Sequence, residues 1–194
     1  MLPKLRTDIL ISTEEYLQKE RLADYKSEFV DGDIFALSGG SLVHSRLALK
    51  WGSELDLKLR GRNCSVYNSD ARVRTNRSGS YVYPDVSVVC GQPTTHQASD
   101  DILINPIAVI EVLSPSTADY DRGKKFGLYR EIESLQDYIL VHTGSIHVEH
   151  FSRQPGSWLF REYSGAESVV SIASIGCDVL LGDVYEGIPG LAAD

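Results

Sequence analysis

Apolar residues in this chain recur at two spacings, and the switch between them separates helical from extended stretches. Near the N-terminus Thr13-Glu-Glu-Tyr opens like a helix, with Thr13 as the cap and acids in the first turn. Glu28-Phe-Val and Ile34-Phe-Ala-Leu flank Asp31-Gly32, the signature of a tight β-hairpin. After Gly39-Gly40, Ser41 caps a long helix to about Gly61, whose apolar positions Leu47, Ala48, Trp51 and Leu55 follow helical spacing. From Cys64 the period becomes that of strands: Ser65-Val-Tyr, Ala71-Arg-Val-Arg, Val86-Ser-Val-Val and Pro106-Ile-Ala-Val-Ile-Glu-Val-Leu. Gly91 to Asp101 reads as a polar loop, and about Tyr120 to Ser134 as a second helix. Tyr138-Ile-Leu-Val and Ile146-His-Val-Glu-His-Phe then pair across Thr143-Gly144, followed by short strands at Trp158 to Tyr163 and Val169 to Ile172. The pattern predicts an α/β (α+β) fold, a mixed sheet flanked by helices with additional hairpins. With no repeat or linker, 194 residues suit one domain spanning 1–194.

Composition narrows the function classes. Hydrophobic residues make up 42% and charged residues 24%, ordinary for a globular protein. No run approaches the roughly 18 apolar residues that span a bilayer, and the first residues lack the apolar core of a signal peptide, so no membrane association and a cytoplasmic location are expected. Cys64, Cys90 and Cys177 are widely spaced with no CxxC pair, which argues against structural zinc and for reduced, mostly buried thiols. The net charge of −8 repels a polyanion, so any nucleic-acid contact has to come from a local basic patch, a metal ion or a partner.

Two acids stand out by their company. Glu111 interrupts Ile107 to Leu113, a run that otherwise reads as a strand buried on both faces. Asp85 sits between Val82-Tyr83-Pro84 and Val86-Ser-Val-Val. An isolated carboxylate desolvated in such a place costs several kcal/mol unless it pairs or changes protonation state. A hard divalent cation shared by both acids removes the conflict, and oxygen ligands suit Mg²⁺ or Mn²⁺. The competing reading gives each acid its own Arg or Lys, or a place in water at a strand end.

Projected at about 100° per residue, the second helix puts Leu128, Tyr129 and Ile132 on one face, with Lys125 at the centre of that stripe and Asp121 beside it. Lys124 points away, toward the side of Glu131. An inward lysine following the Glu111 strand could hold a water or stabilise negative charge on a phosphate. The blander alternative is an Asp121–Lys125 pair at i, i+4.

The strings Tyr83-Pro84-Asp85-Val86, Ile110-Glu111-Val112-Leu113-Ser114-Pro115-Ser116-Thr117 and Tyr120-Asp121-Arg122-Gly123-Lys124-Lys125-Phe126 resemble the Uma-two family. That family comprises restriction-endonuclease-like proteins of unassigned function in the PD-(D/E)XK nuclease superfamily. The resemblance extends to Tyr25-Lys-Ser-Glu28, Asp31-Gly32 and His44 upstream and to Ser134-Leu-Gln-Asp-Tyr138 downstream. It implies a restriction-endonuclease-like fold in which Asp85 and Glu111 bind Mg²⁺ (or Mn²⁺) and activate a water for attack on a phosphodiester. It also implies that Glu28 adds a further acid; otherwise Glu28 is a solvated charge opening a hairpin strand. The superfamily motif places a lysine two residues after the second acid, where this chain has Leu113. The resemblance assigns that role to Lys125, in agreement with the helical projection.

Weaker candidates complete the reading. His44 shares the stripe of Leu47, Ala48 and Trp51 and reads as a satisfied core-edge histidine before a ligand or base. Asp70 reads as a turn acid rather than a site residue. Arg72, Arg74 and Arg77 alternate as a phosphate-contacting edge would, or as a solvated hairpin face does. Ser114-Pro-Ser-Thr117 lacks a glycine elbow and a placed base, and reads as the loop into the helix. The expected activity is metal-dependent cleavage of DNA by a homo-oligomer, most simply a twofold dimer by analogy at the level of fold. The alternatives are a catalytically degenerate fold serving as a binding or assembly module, and a hydrolase of small phosphoesters.

Overall fold

The computed structural model describes residues 11–75 and 79–191. The signal-peptide reading of the first residues and the candidate Arg77 therefore lie outside the described residues. The chain runs α1 (Thr13–Leu22), β1 (Ser27–Val30), β2 (Asp33–Ala36), α2 (Leu42–Lys58), β3 (Cys64–Asn68), β4 (Arg72–Arg74), β5 (Tyr81–Val82), β6 (Val86–Cys90), β7 (Ile102–Leu103) and β8 (Ala108–Leu113). It continues through α3 (Ala118–Tyr120), a π-helical segment (Asp121–Lys125) and α4 (Phe126–Tyr129). β9 (Asp137–His142), β10 (His147–Gln154), β11 (Ser157–Ser164), β12 (Val169–Ile172), β13 (Cys177–Leu180) and α5 (Leu181–Tyr185) complete it.

Local chemistry sets most boundaries. Ser12, rather than Thr13, caps α1: its hydroxyl accepts the Glu15 N–H at 3.2 Å while the Glu15 carboxylate accepts the Ser12 N–H at 2.9 Å. Asp31 and Gly32 both take positive φ, 53° and 86°, the turn that matches the twist of a two-residue hairpin. Ser41 caps α2 through the His44 N–H at 3.2 Å. The second helix is shorter than its apolar pattern suggests. After α4 the chain leaves regular helix through turns closed by Ile132 N–H to Tyr129 O and Leu135 N–H to Ile132 O, so Ile132 and Leu135 are buried from turns.

Six strands form the larger sheet in the order β11-β10-β9-β8-β6-β3, antiparallel except for the parallel β8–β9 pair. A second sheet runs β2-β1-β5-β4-β7, and β12 pairs with β13. Alternation along β8 decides where the chemistry lies. Ala108, Ile110 and Val112 join a core with Leu47, Trp51 and Leu55 of α2. Val109 and Leu113 join the opposite core with Phe126, Leu128, Tyr129 and Tyr138. Glu111 shares their parity and so faces the π-helical segment and α4. No helix among the described residues is long and apolar enough to cross a membrane.

One expectation is overturned. Cys64 and Cys90 are joined in a disulfide rather than kept as thiols, because the antiparallel β3–β6 register sets them directly opposite each other. Cys177 is a buried thiol.

Candidate functional site

The β6–β8 register pairs Val86 with Ile110, so Asp85, one residue earlier, lies opposite Glu111 where the two strands part. Asp85 Oδ2 accepts the Val112 N–H at 2.7 Å, which fixes its carboxylate against β8. Glu111 is buried, and its Oε1 accepts the Tyr129 hydroxyl at 2.9 Å. Burial pushes the Glu111 carboxyl well above the usual range; the Lys125 charge pulls it back, and Asp85 and Asp121 push it up again. Burial likewise drives the Tyr129 hydroxyl far up, so it stays protonated as a donor.

Lys125 reaches this point from the helix. Its Nζ lies 2.9 Å from Glu111 Oε1, 3.2 Å from Glu28 Oε1 and 3.9 Å from Asp121 Oδ1, and it donates to the Tyr83 carbonyl at 3.1 Å. Burial works against its charge, but Glu111 and Glu28 hold the amine well above its ordinary value. Both readings of the Asp121–Lys125 spacing thus meet in one geometry, with the i, i+4 contact the longest of the three. Lys124 points outward and pairs with Asp31 at 3.0 Å. The π-helical turn buries both Asp121 and Lys125, as π-turns at functional sites commonly do. Leu113 packs in the apolar core on the same face of β8 as Glu111.

Glu28 is fully buried, not solvated. Its carboxylate accepts the Tyr83 N–H at 3.1 Å and the Tyr120 hydroxyl at 3.0 Å, besides meeting Lys125. The hairpin on the second sheet therefore delivers an acid to a cluster whose other members come from β8 and the π-helical segment. All of them line one cleft of about 1010 Å³.

His44 belongs to the same cleft. Its Nε2 lies 3.2 Å from Asp85 Oδ2. Burial opposes its charge, but the bond to Asp85 raises its affinity for a proton overall. Helical spacing places His44 on a buried stripe and cannot reveal that the first turn of α2 overhangs Asp85. Asp70 is a turn acid paired with Lys26 at 2.5 Å. Arg72 forms no phosphate-contacting edge: it is buried and paired with Asp101. Arg74 is partly buried. Ser114 and Thr117 hydrogen-bond each other at 2.8 Å in the loop leading to α3, and that loop forms one wall of the cleft.

The donor set fits a hard divalent cation. Glu28, Asp85, Glu111 and Asp121 line the cleft together with Lys125, the one buried lysine among the described residues. Acidic groups outnumber basic ones along this lining. Asp85 and Glu111 are the pair best placed to share an ion, being cross-strand neighbours with Lys125 on the Glu111 side. Oxygen-only donors favour Mg²⁺ or Mn²⁺ over softer metals.

Residues 13–179 match the family described as "Uma2: Putative restriction endonuclease". Two uncharacterized proteins of Synechocystis sp., slr1290 and sll1609, are each 36% identical to the chain, over 92% and 86% of it and over 93% and 95% of their own lengths. The fold matches a crystal structure from Anabaena variabilis described as "a putative nuclease belonging to DUF820". That match has a TM-score of 0.72 at 18% identity, over 90% of this chain and 97% of the other. With Glu28 of β1 and Glu111 of β8 meeting a lysine from the following helix, and Asp85 beside Glu111 just before β6, this chain is a member of the restriction-endonuclease-like Uma2 family.

Proposed function

We propose that the protein is a metal-dependent endonuclease that cleaves phosphodiester bonds in DNA. The observation that carries this reading is the convergence of Asp85, Glu111 and Glu28 with the buried Lys125 ammonium in one open cleft. Asp85 and Glu111 would hold Mg²⁺ or Mn²⁺. The ion supplies Lewis acidity and lowers the pKa of a bound water toward neutrality. The chain's own residues supply orientation and charge. The Val112 N–H and His44 both meet Asp85 Oδ2, and the Tyr129 hydroxyl holds Glu111. Lys125 presents a fixed positive charge where negative charge develops on phosphate oxygens; Glu28 and the Tyr83 carbonyl keep its amine in place. The Lys125 amine thus serves from the helix the point that Leu113 leaves without a charge.

The test is cleavage of plasmid and oligonucleotide DNA with Mg²⁺ or Mn²⁺ by wild type, Asp85→Ala and Glu111→Ala. The expected result is metal-dependent cutting by wild type alone. Uncut DNA of every form under all metal conditions overturns the reading.

One observation favours a smaller substrate. Five acids line the cleft, Glu28, Asp56, Asp85, Glu111 and Asp121, against Lys26 and Lys125. A long polyanion meets repulsion there that a nucleotide-sized phosphoester largely avoids. Faster turnover of a small phosphodiester than of DNA, per phosphodiester bond and under identical metal conditions, selects that alternative. A twofold dimer would suit double-strand cutting and is read from the sedimentation coefficient.

A further inference from the structure

A second cluster of ligand-type side chains lies on the same sheet face as Glu111, beyond the cleft. The β9–β10 register pairs Val141 with Val148, so His142 and His147 oppose each other across the next position of the hairpin. Their rings stand edge to face, with centroids 4.4 Å apart. Glu149 follows His147 by two residues and therefore shares its face. On β11, Glu162 opposes Glu149 and Ser164 opposes His147. One donor atom from each of His142, His147 and Glu149 falls within 4.8 Å of the others. His142 Nε2 is 2.7 Å from Glu149 Oε1, and Glu162 Oε1 is 3.4 Å from His147 Nε2.

We infer that His142, His147 and Glu149, with Glu162 at the rim, form a binding site for a transition-metal dication of the Zn²⁺ or Co²⁺ class. Two imidazoles and two carboxylates match the preference of such ions for mixed nitrogen and oxygen donors. The partner of the His147 ring's other nitrogen adds an independent reason. Nδ1 lies 2.8 Å from Ser164 Oγ, an outer contact that turns Nε2 into the cluster, as partners of metal-ligating histidines characteristically do. Arg122 occupies part of the space, bridging both Glu149 oxygens at 2.6–3.1 Å and lying 3.2 Å from His142 Nε2. Its side chain is about one-third exposed at 35%, so it can retreat to Oε2 and leave Oε1 to an ion. The competing account is a metal-free ion pair between Arg122 and Glu149, with the histidines as bystanders.

Titration with Co²⁺ alone, read by calorimetry and visible absorption, separates the two. The full chain carries Asp85→Ala, so that the acidic cleft cannot supply its carboxylate pair. The expected result is one equivalent bound with visible ligand-field bands, and about tenfold or greater weakening on adding His147→Ala. No Co²⁺ binding, or binding unchanged by His147→Ala, overturns the proposal. Should that variant fail to fold, proton NMR of the Asp85→Ala chain decides: Zn²⁺ must shift the ring signals of both His142 and His147, and unmoved signals refute the site.

Discussion

Lys125 keeps its charge in a buried place because three carboxylates lie within 4 Å of it. Removing one partner of a buried ion pair leaves the other uncompensated, so Lys125→Met acts on both stability and chemistry. The expected loss in kcat is about 10²–10³-fold, the size typical of a lost charge-stabilising donor, with a lower melting temperature. Glu111→Gln should act in opposite directions on the two. The folded state holds the Glu111 proton more tightly than the unfolded chain does, chiefly through burial. Its contribution to stability is therefore fullest below the ordinary carboxylate pKa, and is lost as pH rises through the raised folded value. Glu111→Gln should flatten that pH dependence and raise the melting temperature by about 2–4 °C at pH 8, the shift expected for ~1 kcal/mol at this size, while abolishing metal binding. Stability traded for a site is a common pattern. Scanning calorimetry at pH 5 and pH 8 reads both effects. Glu28 and His44 show what one sequence hides at this scale. Periodicity assigns each to a face, but the partners that give them a role, Lys125 and Asp85, come from other elements.

At the scale of elements, three loci build the site: the paired strands that bring Asp85, just before β6, opposite Glu111 within β8, the π-turn that carries Lys125, and the hairpin that carries Glu28. The hairpin was legible because Asp-Gly between two apolar runs suits the positive φ that Asp31 and Gly32 adopt, and α2 because Ser41 and its apolar spacing agree. The π-turn was not, since no residue in Asp121–Lys125 announces it. The two-residue strands β5 and β7 were equally silent, being shorter than any period that reveals a strand. So was the cap at Ser12, one position before a threonine that also suits a cap. The entry to α2 offers a sharper test. A Cβ on Gly40 would lie 2.7 Å from His44 Nδ1 and 2.9 Å from its Cγ, so Gly40→Ala must move the imidazole off Asp85. Gly40→Ala is expected to reduce cleavage to the same degree as His44→Ala, with the melting temperature unchanged within about 1–2 °C. Side-by-side cleavage rates and thermal scans of the two variants check this.

At the scale of the molecule, the acidic site and the Cys64–Cys90 bond occupy opposite ends of β6, since Asp85 immediately precedes the strand and Cys90 ends it. Scattered cysteines read as thiols in the sequence because pairing depends on strand register, which only the assembled sheet sets. A bridge across this 26-residue separation should contribute about 2–4 kcal/mol. Cys64→Ser is therefore expected to lower stability by about that amount in urea while leaving metal affinity within about twofold, because the bond constrains the far end of the strand. The fold class was readable as a whole, since the nearly continuous apolar run from Ile107 to Leu113 and the helical stripe at Leu47, Trp51 and Leu55 point to a sheet covered on both faces, and β8 has a core on either side. The central claim concerns what Asp85 and Glu111 hold between them. It is tested most directly by calorimetric titration of Mn²⁺ into the chain and its Asp85→Ala variant, both carrying His147→Ala to silence the second cluster. The account predicts saturable binding to the parent and at least about tenfold weaker binding to Asp85→Ala, with both proteins folded. Equal binding curves, or no binding to the parent, would contradict it.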